Sequence, residues 1–178
     1  MTIQRDHFSL FGLPARFALD AAALDAAYKR VQSQVHPDRF AAATAAERRV
    51  AMQWAARANE AFEALKSPLR RAAYLCEMNG VPIGAETNTA MPAAFLGQQL
   101  EWREQLEAAR AANDAAQLRA LDEEVRAMRA ATLERLARAI DDERDFVAAA
   151  ALVRQLMFIE KFESEVGGAL AAAAAGVG

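Results

Sequence analysis

Cys76 is the only cysteine in this chain of 178 residues, so no internal disulfide and no multi-cysteine zinc site can form within it. It stands beside Leu75 in an apolar helical stretch, which marks the thiol as a buried structural group. Glycine and proline are few, at eight and five, and β-branched residues are sparse. With little to interrupt helices and little to build strands, a large sheet is hard to place. An excess of charge of one sign is also missing: 21 Lys and Arg face 24 Asp and Glu, for a net charge of −3. That argues against a broad electrostatic grip on nucleic acid and leaves room only for a local basic patch. The N-terminus carries Arg5 and Asp6 and no apolar run suited to a signal peptide, and no segment approaches an uncharged membrane span. The expectation is an all-α, cytoplasmic protein built as one medium domain or two small helical ones.

What the chain has is alanine, and apolar residues at helical spacing. Asp20 is a good N-cap for a helix carrying Leu24, Tyr28, Val31 and Val35 as one stripe. Thr44 and Glu47 read as a capping box opening a second helix with Val50, Trp54, Ala58, Ala61 and Leu65. A stiff turn between the two gives an antiparallel hairpin, and Phe8, Leu10, Phe11 and Leu13, closed by Gly12 and Pro14, form a short helix able to cover its open side. Ser67-Pro68 starts another short helix that Gly80 stops near residue 79.

From 80 to about 90 the pattern lapses, which sets an N-terminal unit at 1–79 and a linker at 80–91. Beyond it, helical segments at about 92–112, 115–140 and 143–170, separated by Asn113-Asp114 and Asp141-Asp142 as breaks and caps, predict a three-helix bundle over 92–170. Leu118, Leu121, Val125, Met128, Leu136 and Ile140 form one seam of it, and Leu152, Leu156, Ile159, Val166 and Leu170 another. The alanine-rich tail, 171–178, reads as a fraying helix end without chemistry.

The chemistry-bearing candidate is His36-Pro37-Asp38, at the break between the first two helices. None of the three suits a core. Proline disfavours a helical conformation at His36 and cannot donate a backbone hydrogen bond, so the helix ends there in a stiff tip offering an imidazole and a carboxylate. Nucleophilic catalysis would need Ser or Cys in reach of a histidine, and neither His36 nor His7 carries such a motif. His36 and Asp38 supply two metal ligands where a site needs more, so no cofactor or metal is expected. An enzyme or metal protein built on His7, His36 and Asp38 remains the competing reading. Lys29, Arg30 and Arg39 flank the tip, away from the Leu24/Tyr28/Val31/Val35 stripe, and this basic surface suits docking on an acidic protein partner.

Phe8-Ser9-Leu10-Phe11-Gly12-Leu13, the helix ending Val35-His36-Pro37-Asp38-Arg39-Phe40, and Asn59-Glu60-Ala61-Phe62 with Leu65 before Pro68 together resemble a J-domain over about residues 6–78. The resemblance implies a co-chaperone module that presses the His-Pro-Asp loop and the preceding basic helix onto an Hsp70 and stimulates its ATPase. His36, Pro37 and Asp38 are then the triggering residues, and Lys29, Arg30 and Arg39 their electrostatic helpers. The segments 11–17, 67–75 and 95–104 extend the likeness over nearly the full length to the HscB-type co-chaperones of iron-sulfur cluster assembly. That family joins a J-domain to a bundle that holds the scaffold protein IscU and presents it to the specialised Hsp70, HscA. Eukaryotic relatives can carry an N-terminal cysteine zinc module; its lack here points to the bacterial type.

Helix geometry bears on that resemblance. At about 100° per residue, Phe95, Trp102, Leu106 and Ala109 share one face, while Leu96, Leu100 and Glu104 are rotated away from it by roughly 100–180°. Phe158 lies about 120° or more from the Leu152/Leu156/Ile159 line. Apolar residues off the seam and beside carboxylates either form a partner surface or pack on a third element. With the family likeness, Leu96, Leu100, Glu101, Glu104 and Phe158 are the expected scaffold-binding residues. Gly97 and Ala108 depart from the family pattern, which has a large apolar and an acidic residue there, and both reduce the contact. A J-domain co-chaperone serving a different client is the remaining alternative.

Overall fold

Asp6 opens the first helix of the computed structural model, which describes residues 6–35, 44–84 and 91–175. Its carboxylate accepts the Ser9 N–H at 3.0 Å, and Gly12, at φ 67°, ends the turn in the left-handed conformation that a side chain would strain. This is α1, His7–Phe11. It is followed by α2 (Ala21–Val35), α3 (Ala45–Lys66), α4 (Pro68–Met78), α5 (Ala93–Ala111), α6 (Ala115–Ala137) and α7 (Phe146–Ala175). The all-α expectation is met: no strand occurs among the described residues.

The caps read from the sequence are largely in place. Thr44 and Glu47 form the reciprocal capping box of α3. The Ser67 hydroxyl accepts the Arg70 N–H at 3.3 Å with Pro68 in the first turn of α4. Asp114 accepts two N–H groups, from Ala116 and Gln117, at 3.0 Å each. Each such cap satisfies donors that a helix start leaves without partners.

Two hydrophobic clusters run end to end through the molecule, joined by α6 and α7. The first gathers Phe8, Phe11, Phe17, Leu24, Ala27, Leu65, Leu75 and Cys76 from the N-terminal elements with Leu136 of α6, Ile140 of the turn that follows it, and Ala149, Leu152 and Leu156 of α7. The second packs Phe95, Trp102, Leu106 and Ala109 of α5 against Leu118, Leu121 and Val125 of α6 and Ile159, Phe162 and Val166 of α7. The N-terminal helices therefore share a core with the base of the bundle, and α4 lies along α7.

Three local expectations change. Val50, placed on the inward stripe of α3, is 48% exposed, because the buried line runs through Ala51, Ala58, Ala61 and Leu65, about 100° away. Asp141-Asp142 does not cap the last helix. The chain leaves α6 through a π turn, Arg138–Asp142, passes Arg144 at φ 57°, and is capped by Asp145, whose carboxylate accepts the Ala148 N–H at 2.9 Å. The last helix also continues past residue 170 to Ala175, and Ala173 is buried against the second cluster.

Cys76 is fully buried, as the sequence suggests, and burial pushes its thiol up to about 11. Since the thiolate is the reactive form, the native protein is expected to resist a thiol reagent near neutral pH and to react only as it unfolds. Stopped-flow labelling checks this; prompt stoichiometric modification of the folded chain would contradict it.

Candidate functional site

Tyr28 fixes the face that α2 shows to solvent. Its ring stacks on Phe62 of α3 with centroids 4.2 Å apart, and its hydroxyl donates to Asn59 Oδ1 at 2.8 Å. Gln32, one turn on, donates to the same hydroxyl at 2.8 Å and to the same Asn59 oxygen. With Leu24 and Ala27 buried beneath, the helix cannot roll, and Lys29 and Arg30 stand exposed on its outer side. His36, Pro37, Asp38 and Arg39 lie outside the described residues, between the end of α2 at Val35 and the Thr44 cap.

His7 and Cys76 are held for packing. The His7 ring stacks on Tyr74 at 4.1 Å, its backbone N–H donates to the Tyr74 hydroxyl at 3.0 Å, and burial lowers its pKa below the ordinary histidine value. Among the described residues no group of three or more His, Cys, Asp or Glu converges as a metal site would require. None of the described helices is long and apolar enough to cross a membrane.

The second face is on α5. Phe95, Trp102, Leu106 and Ala109 are buried, as their spacing predicts, and Trp102 anchors the helix on both sides. Its ring stacks on Phe162 of α7 at 5.5 Å, and its indole N–H donates to Glu124 Oε1 of α6 at 2.7 Å. Gln98 donates to the same Glu124 oxygen at 3.1 Å, and Arg110 reaches the Glu165 carbonyl of α7 at 3.1 Å. A helix fastened so firmly on its inner side presents its outer side in a fixed register. There Leu96 and Leu100 are 50% and 60% exposed, with Glu101 and Glu104 exposed beside them. Among the described residues neither leucine is buried against a third element, the alternative that the sequence left open.

Phe158 is placed differently from the leucines. It is half-buried at the rim of the second cluster, edge-on to Phe95 at 5.8 Å and stacked on Phe162 at 5.9 Å. Its ring thus closes the seam between α5 and α7 while its outer part continues the apolar surface. The Arg103 guanidinium lies 5.7 Å from its centroid, a cation–π contact that sequence reading did not identify. Its signal was available: Arg103 follows Leu96 by seven residues and Leu100 by three, so it shares their face. Gly97 is exposed, and a Cβ built on it meets nothing within 4 Å, so the surface is open there; Ala108 is also exposed.

The arrangement is one of surfaces: the basic outer side of α2 and the apolar-acidic outer side of α5. Comparisons with known proteins agree in kind. A family model described as the HSCB C-terminal oligomerisation domain matches residues 91–167. The Co-chaperone protein HscB homologs of Burkholderia thailandensis and Burkholderia multivorans are 55% and 58% identical, each over 94% of this chain and 95% of the relative. Among solved structures, the chaperone HscB from Vibrio cholerae superposes with a TM-score of 0.79 at 38% identity, covering 92% of this chain and 96% of that one. The human co-chaperone protein HscB gives 0.87 at 26% identity, covering 94% and 83%.

Proposed function

The chain belongs to the HscB family of co-chaperones, and from that premise we propose that it stimulates ATP hydrolysis by the specialised Hsp70 HscA while delivering the scaffold protein IscU to it. The protein itself performs no catalysis in this reading; it acts in the cytoplasm and promotes maturation of iron-sulfur proteins. The N-terminal unit, residues 1–79, engages the chaperone through His36, Pro37 and Asp38, with Lys29, Arg30 and Arg39 steering the encounter by charge. The bundle, residues 92–170, holds the scaffold on Leu96, Leu100, Glu101, Glu104 and Phe158, and residues 80–91 connect the two.

The observation that carries the reading is the exposure of Leu96 and Leu100 beside Glu101 and Glu104, on a helix whose opposite face is buried in the core. Large apolar side chains in that position cost hydration in the free protein and gain only when a partner covers them. An activator can shift its partner only through interactions that differ between the partner's states. Cargo and co-chaperone acting together should therefore raise turnover beyond the sum of their separate effects.

The test is HscA ATPase activity measured with the co-chaperone, with IscU, and with both. A greater-than-additive rate is expected. A rate unaltered by the co-chaperone at saturating IscU would overturn the assignment, and stimulation without any IscU effect would point to a J-domain protein serving another client.

A further inference from the structure

Phe17 and Ala18 lie in the connection between α1 and α2, where no helix of their own receives their backbone N–H groups. Both are donated to Asp141, to Oδ1 at 2.7 Å and to Oδ2 at 2.8 Å, across more than a hundred residues of sequence. Each carboxylate oxygen takes one N–H. The π turn at Arg138–Asp142 carries Asp141 toward this connection, and its side chain is only 4% exposed, with Arg16 Nε 3.8 Å from Oδ2. Next to it the Phe17 ring is buried beneath the Arg71 guanidinium at 5.1 Å, and Arg71 is tied in turn to the Leu65 carbonyl at 2.6 Å. The start of α2 is thereby fastened to the base of the bundle.

We propose that Asp141 is a positioning residue that sets the angle of α2 against the α5 face, so that a chaperone engaged at α2 and a scaffold held on α5 meet in one geometry. This inference rests on the function proposed above. Apolar contact is non-directional, so the shared core of Leu136, Ile140, Leu152 and Leu156 holds the two parts together but leaves the Phe17 and Ala18 amides to be aligned by a polar partner. Charge-assisted bonds from the two consecutive amides to one carboxylate align them. A joint that wanders lowers the effective concentration of the tethered cargo at the chaperone, even when each separate contact is intact.

The experiment uses the full chain with Asp141→Ala and Asp141→Asn. Neither substitution touches the Arg154 hydrogen bond to the Ile83 carbonyl, at 3.0 Å in the native chain, or a side chain of the shared core. Amide exchange at Phe17 and Ala18 should accelerate, IscU affinity and HscA stimulation without IscU should keep their native values, and the joint stimulation should fall about fivefold or more. Asn retains one acceptor and should fall between Ala and the native chain; if the Ala variant fails to fold, Asn decides by the same criteria. Native joint stimulation despite fast exchange at both amides would overturn the proposal, as would a parallel loss of all three activities, which marks a merely structural role. Absence of stimulation by the native chain would instead overturn the functional reading and this inference with it.

Discussion

His36→Gln is expected to return HscA turnover to its basal rate while leaving the fold and scaffold binding as they are. Glutamine keeps a polar side chain of similar reach but lacks the flat ring and cannot carry the imidazolium charge. A contact made only in the stimulating complex contributes nothing to the free protein, so its loss falls wholly on stimulation. Among the described residues, the core of the N-terminal elements is assembled from Phe8, Phe11, Leu24, Ala27, Ala61 and Leu65, and a polar side chain next to a proline is not expected to add to it. The change in stability is therefore expected to stay within about 0.5 kcal/mol. Steady-state ATPase assays, thermal melts and calorimetry against IscU separate the three properties. Retained stimulation by a folded His36→Gln protein would remove the His-Pro-Asp segment from the mechanism.

The helices themselves were readable because their determinants are local. A cap lies within three residues of its partner, as at Thr44 and Glu47, and a buried stripe repeats every three or four residues, as at Phe95, Trp102, Leu106 and Ala109. The same geometry picked out Leu96 and Leu100 as off the seam. What failed to show in the sequence depends on distant neighbours. Asp141 reads like any acidic helix breaker, and its role follows only from Phe17 lying beside it, 124 positions away in the chain. Arg103 is one arginine among many until Phe158 of α7 comes beneath it. Val50 satisfies the period of α3 as well as Ala51 does, and only the position of the neighbouring helices decides which faces inward.

Those differences also change how the scaffold face should be tested. Phe158 touches Phe95 and Phe162, so Phe158→Ala opens the seam of the second cluster as well as removing contact area. It should cost the fold on the order of 1–3 kcal/mol, and a loss of binding in that variant alone would be ambiguous. Leu96 and Leu100 have no such second duty, since half or more of each is already in water. Covering the remainder on binding is worth about 1 kcal/mol per leucine. The double variant Leu96→Ala/Leu100→Ala should accordingly weaken IscU binding by about thirtyfold, with helix content and melting temperature unchanged. Isothermal calorimetry and circular dichroism measure the two sides. Native affinity in a folded double variant would place the scaffold elsewhere on the bundle, because no other property of these exposed side chains could compensate for the missing area.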